Sequence, residues 1–290
     1  MKPELKARKS IAPSRVRSEL LPEQSEALLR ELHLLTREGR LNADALRKLK
    51  QVNHFVGLLK PALEELFQRY PSPLIVDAGS GNAYLGFVLY ELFLKGRDNG
   101  RVLNVETREE LTQKARERAQ RLGFTRMDFE TAQIGDAALP ERVNLLIALH
   151  ACDTATDEAL ARALQTKADW VAVVPCCQAE VSRQLKEHKP DPASPIAALV
   201  QHPWHRREFG SHLTNVLRAL TLEAHGYQVT VTELTGWEHS LKNELILARK
   251  VHRESRPAAQ RLEALLASTG VKPTLQRLLE TPAQSPASAD

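Results

Sequence analysis

The sequence predicts an α/β fold: a mostly parallel sheet wound with helices, closed by an antiparallel strand pair and preceded by a helical N-terminal extension. Three observations predict it. Short continuous apolar runs, beginning with Leu74-Ile75-Val76, alternate with helix-spaced segments from residue 74 onward, as strands buried on both faces do. A glycine-rich turn, Gly79-Ser80-Gly81, follows the first run and opens a helix. The last two runs lie about ten residues apart, too close for a parallel crossover.

The elements follow in order. Residues 1–18, with Pro3 and Pro13, read as a disordered basic leader. A helical extension fills 19–70: Leu28, Leu29, Leu32 and Leu35 form one stripe, and Leu46, Leu49, Val52, Val56 and Leu59 form another. Asn42 or Asp44 is placed to cap the second helix, and Pro61 to begin a third. The α/β domain, 71–253, has strands over 74–76, 101–105, 127–131, 143–149 and 170–174, with helices at 84–95, 109–122, 157–165 and 179–187 between and after them. A helix at about 214–224 ends at His225-Gly226 before closing strands 228–233 and 244–249, which makes seven strands in all. A single helix is expected within 254–280 and a disordered tail over 281–290.

Composition excludes several classes. No apolar run approaches the ~18 residues of a membrane span, and no apolar segment follows the basic N-terminus as in a secretory leader. Three cysteines, two of them adjacent, make no disulfide framework and suit a reducing, cytoplasmic setting. The net charge of +4 is mild, but residues 1–17 hold six basic groups against Glu4 alone. Such a leader is a solvated tail, an arm for nucleic acid or a targeting segment.

The strongest local signal is Val76-Asp77-Ala78-Gly79-Ser80-Gly81-Asn82-Ala83-Tyr84. Gly79 permits the tight turn, and Gly81 lets a ligand approach the backbone. Glu106 ends the second strand, where a carboxylate can take both hydroxyls of a ribose. A dinucleotide site would prefer a third glycine three residues after Gly81, and here the spacing fails. Asp77 instead suits a cationic ligand, and S-adenosylmethionine carries a sulfonium and an amino group.

Residues 74–177 resemble the class I S-adenosylmethionine-dependent methyltransferases, whose Rossmann-like sheet has seven strands. The resemblance implies that Asp77, Gly79 and Gly81 hold the methionine part and Glu106 the ribose. It places Asp136, after strand three, at the adenine. Ser80 and Asn82 of the turn, with His150, complete the expected cofactor set. Ala83 stands where a third glycine is common in that family.

A narrower resemblance rests on His150-Ala151-Cys152-Asp153-Thr154-Ala155-Thr156-Asp157, Pro175-Cys176-Cys177-Gln178 and Lys50-Gln51-Val52-Asn53-His54-Phe55. These are similar to segments of a methyltransferase subfamily that includes tRNA ribose 2′-O-methyltransferases. Asp153 replaces a glycine of that pattern, and Gln178-Ala179 replace two histidines. The implied acceptor is RNA.

His150, Cys152 and Asp153 follow strand four, and Cys176 and Cys177 follow strand five, so all five are candidate catalytic residues. Methyl transfer is an in-line displacement that needs positioning and, for a hydroxyl acceptor, a proton acceptor; His150 or Asp153 fits that need. The cysteines are buried packing groups or, alternatively, nucleophiles toward a pyrimidine ring. They lack zinc-ligand spacing, and no metal is expected. Arg206, Arg207, His212, Trp237, Lys242 and Asn243, with Asn215, are candidates for gripping the acceptor. The expected function is methyl transfer to tRNA or rRNA. A small-molecule or protein acceptor, or a non-catalytic binding protein on the same fold, remains the alternative.

Overall fold

The apolar runs become seven strands in the computed structural model: β1 Leu74–Ala78, β2 Arg101–Glu106, β3 Met127–Thr131, β4 Leu145–Leu149, β5 Trp170–Val174, β6 Tyr227–Glu233 and β7 Glu244–Lys250. The structure describes residues 20–21, 24–36, 38, 40, 43–149, 151, 153–175, 178–188, 191–234 and 243–280. The strands form one sheet in the order β3-β2-β1-β4-β5-β7-β6. Strands β1 to β5 pair in parallel, while β7 is antiparallel to both β5 and β6. The helices are α1 Glu26–Glu31, α2 Ala43–Arg69, α3 Tyr84–Leu89, α4 Glu109–Leu122, α5 Thr154–Gln165, α6 Glu180–Glu187, α7 Pro195–Val200, α8 Pro203–Ala224, α9 Arg256–Thr269 and α10 Thr274–Glu280.

Alternating side chains leave the sheet on opposite faces. Ile75, Leu145, Ile147, Ala172 and Val174 share a core with Leu59, Leu63 and Leu66 of α2 and with Phe87 and Leu89 of α3. Val76, Leu146, Ala148, Val171 and Val173 pack with Ala159 and Leu160 of α5, Leu222 of α8 and Leu275 of α10. The N-terminal helices therefore form one layer of the core. Ser25 ties them down: its N–H and Oγ donate to Glu91 at 3.0 and 2.5 Å.

Four helical expectations are corrected. Pro61 does not begin a helix; α2 runs through it for 27 residues. Proline removes the bond to the carbonyl of Gly57, four residues back, and the buried row Val56, Leu59, Leu63 and Leu66 holds the helix regardless. The expected helix 84–95 becomes π-helical over Tyr90–Leu94, with the Lys95 N–H donating to the Tyr90 carbonyl at 2.8 Å. Helix α8 starts at Pro203 rather than near 214, because proline at its first position suits a helix start. The C-terminal helix is divided: Gly270, at φ +66°, caps α9, and Pro273 precedes α10.

Helix direction positions the site. Two antiparallel steps make β6 parallel to β1–β5, so α8, which ends just before it, starts on the side of the strands' carboxyl ends. Its 22 residues span about 33 Å, against about 17 Å for five-residue β5. The first turns of α8 thus overhang the carboxyl edge. Gly210 marks the level: it lies against the backbone of Ser182 near the start of α6, and Pro203 is two turns further out. Helix α2, about 40 Å long, overhangs the same edge beside β1.

Candidate active site at the carboxyl edge

The turn after β1 takes its shape from three departures from right-handed backbone, at alternate residues. Gly79 (φ +73°), Gly81 (φ +57°) and Ala83 (φ +55°) are all left-handed. The N–H groups of Gly79 and Ser80 both donate to the Val105 carbonyl at 2.9 Å, pinning the turn to β2. A methyl on Gly81 would meet nothing within 4 Å, so the space over this turn is open. The methyl of Ala83 is buried, and its left-handed φ strains the backbone there.

Two carboxylates flank the turn, in opposite electrostatic states. Asp77 is buried, and that burial pushes its pKa up to about 7, with neighbouring Glu106 adding to the rise and the N–H of Gly86 opposing it. Gly86 also lets α3 lie close to β2, because a Cβ there would strike the side-chain amide of Asn104. Among the described residues no basic side chain pairs with Asp77.

Glu106 differs. Burial raises its pKa, but hydrogen bonds from the Arg108 guanidinium and from the N–H groups of Arg108 and Gly81 outweigh burial and hold it below the usual range. The Gly81 bond is 2.8 Å and the Arg108 Nε bond 2.8 Å. One edge thus holds an ionised carboxylate and a buried one lacking a cation. S-adenosylmethionine fits both: its positive methionine end answers Asp77, and its ribose hydroxyls can donate to Glu106. When bound, it would supply an activated methyl group on a sulfonium.

The other expected residues divide three ways. Asp136 closes a short 3₁₀ turn, Ile134–Asp136, and is exposed beyond β3. Asp153 caps the start of α5 at φ +49°, ψ −116°. Its Oδ1 accepts the Ala179 N–H at 3.2 Å, joining the segment after β4 to the one after β5. Arg206 and Arg207 lie in the overhang of α8, and His212 lies just inward of Gly210 at its base.

Two expected acceptor contacts are committed elsewhere. Asn215 is buried, its Oδ1 accepting from Gln178 at 3.2 Å and from Arg218 at 3.1 Å. Asn243 is also buried at the base of the final hairpin, where its carbonyl accepts the Leu234 N–H. His150, Cys152, Cys176, Cys177, Trp237 and Lys242, with the basic leader, lie outside the described residues.

Sequence reasoning missed two features. The first is an ion pair beneath the site: Arg218 donates Nε and Nη2 to Asp157 at 2.8 and 2.9 Å, both residues almost wholly buried, and Nη2 also reaches the Asp153 carbonyl at 2.9 Å. With Asn215, Gln178 and Ser211 it forms one network fixing α5, α8 and the exit of β5. The Asp157 end was visible in the sequence segment quoted above; Arg218, 61 residues on, was not. The second is Lys48 of α2, 4.7 Å over the Tyr84 ring where the turn enters α3.

Residues 47–184 match the family described as a methyltransferase domain. The match begins in the stretch of α2 that reaches Tyr84 and ends within α6. The sheet order and the acidic–glycine turn agree with that match and have the Rossmann-like architecture of S-adenosylmethionine-dependent methyltransferases. Among curated proteins, the chain is 29% identical over 231 residues to the glutathione S-transferase C-terminal domain-containing proteins of Mus musculus and Homo sapiens. The alignment covers 73% of this chain and 34% of each of those, so the chain spans about a third of these relatives' length. Among solved structures it is similar to an S-adenosylhomocysteine-bound methyltransferase of Podospora anserina, with TM-score 0.48 and 14% identity over 79% of this chain and 89% of that one. An rRNA methylase of Streptococcus thermophilus gives 0.44 and 13%, over 68% and 96%. No helix among the described residues is long and apolar enough to cross a membrane.

Proposed function

We propose that the chain transfers the methyl group of S-adenosylmethionine to RNA, either tRNA or rRNA, in a cytoplasmic setting. The observation that carries the cofactor assignment is the buried Asp77 without a cation, beside the ionised Glu106 on an open glycine turn. The RNA acceptor is supported by the segments around His150–Asp157 and Pro175–Gln178, by the basic leader, and by Arg206 and Arg207 on the α8 overhang. In this reading Asp136 meets the adenine, and His150 or Asp153 takes the proton of an attacking hydroxyl. Trp237 and Lys242 help grip the acceptor. In this reading Cys152, Cys176 and Cys177 form no bond to the substrate.

The test is a reaction with methyl-labelled S-adenosylmethionine on cell extract, fractionated into RNA, protein and small molecules. Label in RNA is the expected result; label confined to protein or small molecules would overturn the acceptor. In the same assay Cys176→Ser and Cys177→Ser should keep measurable turnover. A covalent adduct trapped on either thiol by a 5-fluoropyrimidine RNA would make it a nucleophile instead.

A further inference from the structure

The overhang of α8 carries a feature the cofactor site does not use. Trp204 is 64% exposed, the most open large apolar side chain among the described residues. The Arg207 guanidinium lies 4.2 Å from its ring centroid. On the same first turn, the rings of His202 and His205 meet edge to face at 5.4 Å. Arg206 stands beside them with one guanidinium nitrogen 3.3 Å from the Val200 carbonyl. Six residues, 202–207, thus present three aromatic or imidazole rings and two guanidinium groups.

Nothing in the packing asks for this. The apolar cluster of α6, α7, α8 and α9 takes Phe209, Leu213 and Leu217 from α8 and leaves Trp204 out. A lone exposed tryptophan is unremarkable; one with a guanidinium on its face, beyond the carboxyl edge of the sheet, is a stacking surface. Arg207 covers one side of the indole, and the exposure that remains belongs to its other side and edge. Glu208 is the one acidic group in the patch. Its 3.3 Å pair with Arg207 is exposed on both sides and therefore weak.

We propose that Trp204 and Arg207, with His202 and His205, form a stacking platform for an unpaired base of the RNA substrate. The platform holds the strand on the β5 side of the active site while the acceptor nucleotide reaches the turn after β1. This inference rests on the RNA reading above. Aromatic faces take any base, whereas the guanidinium groups and imidazoles favour the phosphates on either side. A protein partner or a second copy of the chain would need apolar area, and besides Trp204 this patch offers little more than half-exposed Leu199.

The experiment uses the full chain and two fluorescein-labelled 12-nucleotide probes: oligouridylate, and an abasic ribose-phosphate strand of equal charge. The wild type should prefer oligouridylate roughly tenfold, within the range of one stacked base. Trp204→Ala should abolish the preference while leaving abasic binding unchanged, and Trp204→Tyr should restore most of it. Arg207→Ala should weaken both probes and lower the salt slope by about one. S-adenosylmethionine affinity, measured by calorimetry, should be unchanged in all three variants, which also reports intact folding. Undiminished oligouridylate preference in Trp204→Ala overturns the platform and leaves the RNA reading standing. A wild type that binds neither probe and labels no RNA overturns both. A concentration-dependent dimer that Trp204→Ala dissociates, with RNA binding unaltered, would make the patch a self-association surface and overturn the proposal.

Discussion

Asp77 costs the free protein stability that a bound cation can restore. Its pKa is about 7 in the fold against an ordinary 3.8, so between those values the folded state holds a proton that the unfolded chain has released. Stability therefore falls as pH rises through that window, and the loss is complete above about pH 7, on the order of 4 kcal/mol. Asp77→Asn should remove that slope and raise the urea midpoint at pH 8 while leaving it nearly unchanged at pH 4. Cofactor affinity should move oppositely. A cationic ligand selects the ionised carboxylate, so wild-type affinity should rise roughly tenfold between pH 6 and pH 8, and the asparagine variant should lose both the rise and most of the binding. Calorimetry at three pH values decides it; a flat profile would remove Asp77 from the cation's surroundings. Glu106→Ala should weaken binding by about 1–3 kcal/mol, since it deletes a charged acceptor and frees Arg108.

At the scale of elements, the turn and the helices make separable predictions. Gly81→Ala should cost only about 1 kcal/mol of stability, the left-handed penalty, yet reduce cofactor affinity further, because its methyl enters the open space over the turn. Gly86→Ala should cost about 2 kcal/mol or more by driving α3 from Asn104. Circular dichroism melts beside binding measurements separate the two cases. Arg218→Met should lose roughly 3–5 kcal/mol by leaving Asp157 buried and unpaired, and adding Asp157→Leu should recover part of it. Much of this level was legible in the sequence. The limits of α4, β3 and β5 coincide with their apolar and helical spacing, and Asp77, Gly79, Gly81 and Glu106 sit together where strand alternation put them. What escaped follows a pattern too. Proline at 61 is a breaker only when packing does not hold the helix, and the buried leucines around it are visible only in three dimensions. The first turns of α8 overhang the sheet, so they have no core to face and show no apolar period. Gly270 and Pro273 did mark the break between α9 and α10, but the apolar spacing continues across them.

For the whole molecule, the sheet depends on a layer that precedes it in sequence. Leu63 of α2 is wholly buried against the sheet, so Leu63→Ala should cost about 2–5 kcal/mol in urea unfolding although it touches no expected ligand. Removing residues 1–17 should behave differently. Melting temperature and cofactor affinity should hold, while RNA affinity falls and its dependence on salt becomes shallower. Equal RNA binding with and without the leader, measured at low salt, would return those basic groups to the role of a solvated tail.

The place of β7 in the sheet imposes an order in time. It lies between β5 and β6, yet among the described residues it is the last strand and the one partner of β6. During synthesis β6 emerges with no edge to join, and β5 keeps its own open until residue 250 has left the ribosome. Throughout that interval the nascent chain exposes an apolar strand edge, the surface on which unfinished sheets associate with one another. A chain released at residue 243 would stay in that condition permanently, and its aggregation would report a missing strand even with every cofactor ligand in place.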